Sequence, residues 1–210
     1  TRLHFLESDN LEAEGLRLDD NTLAAALIEF YILEKQLKCL KFDLFTELRN
    51  SLMREGNVSC IWNSCDPLNT SAVHSISPDG NVTGCGRLNK QGAAFRRADD
   101  RTNLRQRVLY NTPFLEGGCK GCRFFIACTG GCPGTAIDGD WRNRTRDCEV
   151  IMRIFSMIEG ALVADGKEPV SLAKDREQLE ESFLGGRVTA SHTHTDTPHI
   201  DRYYLQVPVK

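Results

Sequence analysis

Residues Cys119–Cys132 read CKGCRFFIACTGGC, and the organisation of the whole chain turns on them. Four of the nine cysteines fall inside these fourteen residues, at intervals of two, five and three, with Gly121, Gly130 and Gly131 between them. Thiolates are soft ligands that hold iron–sulfur clusters or zinc, and glycine lets a backbone bend sharply enough for close-set sulfurs to converge on one inorganic centre. Cysteine density of this kind marks a metal site.

The bulk composition narrows what such a site serves. At 210 residues, 40% apolar and 26% charged, the chain is long enough for one or two globular domains with a real core. Lys and Arg number 26 against 29 Asp and Glu, a net charge of −3, which gives no reason to expect a nucleic-acid or membrane-surface partner. No apolar run approaches the roughly eighteen residues of a membrane span, and TRLHFLESDN lacks the basic start and apolar stretch of a signal peptide. The expectation is therefore a cytoplasmic chain whose cysteines stay reduced, and an odd total of nine also fits disulfides poorly. Sequons at Asn57, Asn69, Asn81 and Asn143 carry meaning only in secreted proteins and are set aside.

Around the knot, the pattern alternates between helical and turn-rich segments. Leu3, Phe5 and Leu6 suggest a buried strand that breaks at Ser8-Asp9-Asn10. Asp19-Asp20-Asn21 supplies an N-cap for a helix carrying Leu23, Ala26, Leu27, Phe30, Tyr31 and Leu33. A second helical run holds Leu40, Leu44, Phe45, Leu48 and Leu52, with Phe42 and Met53 at its margins, and stops near Gly56; Cys39, among these apolar residues, reads as a buried, inert thiol. From Cys60 the texture changes. CIWNSC sets two cysteines close together, and AVHSISPDGNVTGC reads as a hairpin turning at Pro78-Asp79-Gly80, with Val73, Ile76 and Val82 as candidate buried positions and Cys85 delivered near Cys65. Residues 86–118 are charged and read as loop with a short helix; Arg96, Arg97 and Arg101 mark either a solvated face or a contact for an acidic peptide.

Beyond the knot, Gly134 to Arg146 forms a loop containing Trp141, and Cys148 opens a helix with Ile151, Ile154, Phe155, Ile158, Leu162 and Val163 on its apolar positions. Asp165-Gly166 ends that helix, Ser171 caps a charged one running through Glu181, and Gly185-Gly186 begins the tail. In the tail, His192, His194, Asp196 and His199 form either a metal-binding set or a polar terminus with unliganded imidazoles.

Joined together, Cys65, fourteen residues, Gly80, four residues, Cys85, then Cys119, Cys122, Cys128 and Cys132, then Cys148 make one seven-cysteine pattern. Over roughly residues 60–150 this pattern resembles the SPASM domain, the C-terminal extension of radical S-adenosylmethionine (SAM) enzymes that mature ribosomally made peptides, sulfatases and quinone-cofactor precursors. DGNVTGC and the GCP that closes the knot resemble it too. The resemblance implies two auxiliary 4Fe–4S clusters with interleaved ligands. Cys119, Cys122, Cys128 and Cys148 would hold the distal one. Cys132 would cross over to join Cys65 and Cys85 on the nearer one, with Cys60 as its fourth ligand or an open iron site instead.

The same resemblance implies an α+β fold. Residues 1–56 would be the last strand and helices of a partial (β/α) radical SAM barrel, residues 57–165 the SPASM domain with its β-hairpin, cysteine-rich loops and following α-helix, and residues 166–210 a charged helix and histidine-containing tail. The implied function is electron transfer and substrate positioning in a peptide-modifying oxidoreductase. Implied partners are a ribosomally made precursor peptide and an external electron donor or acceptor such as flavodoxin or ferredoxin. The three-cysteine loop that binds the SAM-cleaving cluster is absent: after Cys128-x3-Cys132 the required position is Thr135. SAM and a third 4Fe–4S cluster are thus expected only in a missing barrel, supplied in cis or in trans, and no catalytic residue is assigned. Sulfatase-maturing relatives carry an aspartate directly after the cysteine that Cys85 matches; here it is Gly86, which favours peptide cross-linking chemistry. Two readings compete: a free-standing iron–sulfur electron-transfer or scaffold protein, and a zinc-binding interaction module, although the five- and three-residue intervals fit zinc ribbons poorly.

Overall fold

The computed structural model of the chain describes residues 1–3, 15–56, 58, 62, 65–67, 75–76, 80, 82–83, 85–89, 93–95, 104–185 and 206–208. The strand expected at residues 3–6, Cys60, Val73, Arg96, Arg97, Arg101 and the His192–His199 cluster lie wholly or mainly outside them.

Helix α1 spans Asp20–Gln36, and Asp19 caps it with a carboxylate that accepts from the amides of Asn21 and Thr22, both at 3.0 Å. Helix α2 spans Asp43–Met53, ending at Arg54 in the left-handed region. The connection is tied by Glu34, whose buried carboxylate accepts from the Phe42 amide at 2.6 Å, filling one of the donor groups left open at a helix start. Cys39 sits in this connection and is exposed, so the inert buried thiol expected there is not what the fold makes. Cys39 lies in the turn after α1, where Leu37 is exposed as well.

Short strands β1 (Ser75–Ile76) and β2 (Val82–Thr83) pair antiparallel as the expected hairpin, with Gly80 at φ +82°. Ile76 is 77% exposed, which corrects its assignment to the core: two paired residues per strand present no broad face for burial. Helix α3 (Gly86–Asn89), strand β3 (Ala93–Phe95) and helix α4 (Leu104–Asn111) follow, and β3 pairs antiparallel with β4 (Gln206–Pro208). A 3₁₀ turn at Phe114–Glu116 leads into the knot, whose helix α5 spans Phe125–Cys128. After 3₁₀ turns at Pro133–Thr135 and Ile137–Gly139, α6 runs from Cys148 to Ala164.

Helix α6 is the spine. Its Val150, Ile151, Ile154, Phe155, Ile158 and Leu162 are buried, whereas Val163 is exposed, one position off the apolar stripe. Helices α1 and α2 both pack on it. One core therefore joins Leu27, Phe45, Leu48 and Leu52 to Phe124, Ala127 and Phe155, across the expected boundary at residue 56. In α1, Phe30 and Leu33 fall outside that core, because LAAALIEFYIL is apolar on every side and its spacing does not single out a face. Phe124 stacks on Phe155 at 5.3 Å between ring centres, and the Ser51 hydroxyl donates to the carbonyl of Ala127, pinning α2 to α5. Ser171 does not cap the last helix: it is buried in a 3₁₀ turn at Val170–Leu172, and α7 begins at Arg176 and ends at Leu184. Among the described residues, no helix is long and apolar enough to cross a membrane.

Candidate metal centre

The knot folds back on the end of α4. The Cys119 amide donates to the Leu109 carbonyl at 2.8 Å, the Cys122 amide to Cys119 at 3.0 Å, and α5 then carries Cys128 to a left-handed Thr129. Cys148 enters from the first turn of α6. The result is a mostly enclosed, apolar cavity whose wall contains Cys119, Cys122, Cys128 and Cys148 together with Phe124 and Phe155. Cys132 is not part of that wall. It directly precedes the turn at Pro133–Thr135.

Donors are aimed at three of the four sulfurs. The Phe124 amide reaches Cys122, the Gly130 amide reaches Cys128, and the Arg144 guanidinium reaches Cys148. Each amide belongs to the second residue after its cysteine, a local turn that stabilises a thiolate. Gly130 is required in that turn: its φ is +83°, and a Cβ there would lie 2.3 Å from Leu109 Cδ1.

Without a metal these thiols are held neutral. Burial pushes Cys119 up to about 12, with Cys148 and Cys122 adding repulsion, and burial pushes Cys148 up to about 11 despite Arg144. Cys128 is raised well above the ordinary thiol value by burial and by the other three sulfurs. Because the folded values lie above the ordinary 9.0, the stability carried by the neutral thiols is complete below that pH and is lost as pH rises from there through the folded values. The metal-free protein should therefore show a falling urea-unfolding midpoint between pH 9 and pH 11, and a flat profile would contradict this burial.

A second group gathers around Arg105, which sequence reading missed. This side chain on α4 is completely buried. Its Nε donates to the Trp141 carbonyl at 2.7 Å. Its Nη1 donates to the carbonyls of Cys65, Thr129 and Gly131 at 3.4, 3.2 and 3.0 Å. Its Nη2 donates to Gly130 and Asn143 at 3.2 and 3.0 Å. One nitrogen thus joins the backbone of Cys65 to that of Gly131, directly before Cys132. Gln106 adds a bond from Nε2 to the same Cys65 carbonyl at 3.2 Å. After Cys85, α3 packs on the turn that follows Cys132, so closely that a Cβ on Gly134 would lie 2.9 Å from Arg87 Cβ. Nothing in the local sequence LRQRVLY marks Arg105, since arginine is ordinarily a surface residue.

No family model, curated protein or solved structure matches this chain. The donor chemistry of the site must therefore speak for itself. Four sulfurs with apolar walls and amides aimed at them suit a soft, thiolate-bound centre. Among the described residues, no group of three or more His, Cys, Asp or Glu side chains is already drawn together to hold a metal ion. Free room inside is only about that of one water molecule, so a cubane needs the wall to move outward; Cys122, half-buried, is the least covered of the four thiols. What favours a cluster at Cys119, Cys122, Cys128 and Cys148 is the donor chemistry, four thiols on one apolar wall. Arg105 ties the Cys65 backbone to that of Gly131, next to Cys132, and the helix after Cys85 packs on the turn after Cys132; Cys60 lies outside the described residues.

Proposed function

We propose that residues 57–165 bind two auxiliary 4Fe–4S clusters and that the chain serves a radical SAM enzyme modifying a ribosomally made peptide, by handling electrons and placing the substrate. The observation that supports this reading best is the lining of one apolar cavity by Cys119, Cys122, Cys128 and Cys148, with a hydrogen-bond donor directed at three of the four sulfurs.

A bound cluster supplies one-electron exchange at a potential set by its surroundings. The chain's own residues set those surroundings. Cys119, Cys122, Cys128 and Cys148 would hold the distal group, and Cys65, Cys85, Cys132 and Cys60 the nearer one. Phe124 and Phe155 keep water from the sulfurs, while the amides of Phe124 and Gly130 and the Arg144 guanidinium stabilise negative charge on them. Arg144 is fixed for this role, since it also donates to the Gly118 carbonyl at 3.1 Å and lies over the Phe114 ring at 3.7 Å. The same reading takes residues 1–56 as the end of a barrel whose remainder binds SAM and a third cluster, and it takes an external electron carrier as a partner.

Anaerobic reconstitution tests the proposal, with about eight irons and as many sulfides per chain expected from two cubanes. About four irons would remove the two-cluster form, and tightly bound zinc would remove the reading altogether.

A further inference from the structure

One buried cation, Arg105, reaches the backbone of both cysteine groups, and the described partners of its guanidinium are backbone carbonyls. Arg105 spreads its donors over six backbone carbonyls, from Cys65 on one side to Thr129, Gly130 and Gly131 on the other, with Trp141 and Asn143 completing the cage. Carbonyl dipoles orient a guanidinium but do not neutralise it, and a charge taken fully out of water requires a compensating one. Asp66, also buried, accepts from the Arg105 backbone amide at 2.9 Å and is one source of negative potential. The other groups acting on the guanidinium are the sulfurs of Cys65, Cys119 and Cys132, drawn from both cysteine groups. Buried thiols carry no charge while neutral. Four thiolates outweigh the positive charge of a cubane core, so a loaded site is a net anion and becomes more so on reduction.

We propose that Arg105 is a positioning residue shared by both cluster sites: it clasps the Cys65 backbone to the Thr129–Gly131 turn and is the buried counter-charge that holds both reduction potentials up. The proposal rests on the cluster reading above. Reduction adds negative charge beside a fixed cation, so the cation favours the reduced state of each cluster. The clasp explains why an arginine is used. Only a planar fork with five N–H groups reaches carbonyls on three separate segments at once.

The test compares the reconstituted wild-type chain with Arg105→Gln and Arg105→Lys, reading iron content and both midpoint potentials by spectroscopically monitored redox titration. In Arg105→Gln both potentials should move to more negative values, and in Arg105→Lys, which keeps the charge, they should stay nearer those of the wild type. A purely structural arginine would change stability and iron content without this split between the two variants. Unmoved potentials in a fully loaded Arg105→Gln protein would overturn the proposal, as would equal shifts in both variants. If neither variant folds when loaded, Arg105 belongs to the scaffold alone and its electrostatic role falls. A wild-type chain that takes up only zinc, or no metal, overturns the cluster reading and this one with it, whereas a loaded wild type with unresponsive variants overturns only the role of Arg105.

Discussion

Cys148→Ala should lower the iron content of the reconstituted protein from about eight to about four per chain, leaving the signal of one cluster intact. The separation follows from where the sulfurs lie. Cys148 shares its cavity with Cys119, Cys122 and Cys128, while Cys132 is outside it and Cys65 is reached through Arg105. Removing one thiol takes away one corner of the distal site and leaves the Arg144 guanidinium without its sulfur partner. The fold should survive, because α6 is anchored by Val150, Ile154, Phe155 and Ile158 rather than by its first residue. A buried thiol reduced to a methyl group costs about 1 kcal/mol, small beside the whole. Cys39→Ala is the matched control: that thiol is exposed and away from both groups, and its loss should leave the iron count unchanged. Full iron in Cys148→Ala would remove Cys148 from the ligand set, and loss of all iron would mean that the two sites assemble as one unit.

The elements with local chemical signals were the ones readable from sequence. Asp19 caps α1, Gly80 turns the hairpin, and Gly166, at φ +72°, ends the run that begins at Cys148, each because one residue type satisfies one backbone requirement. The cysteine intervals alone pointed to Cys119, Cys122, Cys128 and Cys132 as one knot; the set that lines one cavity, with Cys148 in place of Cys132, is the one implied by the family resemblance. Burial set by partners distant in sequence was not readable. Arg105 is buried because carbonyls from three remote segments surround it, a cause with no trace in its own neighbours. Ile76 and Cys39 are apolar residues in apolar surroundings, yet a two-residue strand and an interhelical turn leave them outside. Ser171 has the chemistry of a cap, but Pro169 and the 3₁₀ turn after it delay the helix to Arg176. The sharing of one core by α1, α2 and α6 also depends on contacts more than a hundred residues apart, such as Arg17 to Asp147 at 3.0 Å.

Gly118→Ala should destabilise the metal-free protein by about 3 kcal/mol or more and prevent loading of the distal site. Gly118 has no unusual backbone angle; its requirement is space. A Cβ there would stand 2.0 Å from the carbonyl oxygen of Thr112 and 2.4 Å from its carbon, and backbone atoms cannot rotate aside as a side chain can. Relief demands that residues 117–119 lift off the end of α4, which breaks the bonds from Gly118 N to Pro113 O at 3.0 Å, Cys119 N to Leu109 O at 2.8 Å and Lys120 N to Thr112 O at 3.1 Å. Those bonds seat Cys119 in the cavity wall. Gly121→Ala isolates the other reason for a glycine in the knot. Gly121 has φ +77° but open space around its Cα, so alanine there meets only the left-handed backbone strain of about 1 kcal/mol and should still fold and bind iron. Urea-unfolding midpoints of the two metal-free variants, followed by their iron contents after reconstitution, separate the effects. Equal behaviour would show that the close approach of Gly118 to Thr112 does not govern the knot; a large loss confined to Gly118→Ala would show that the seat of Cys119 on α4 is what presents the thiolates together.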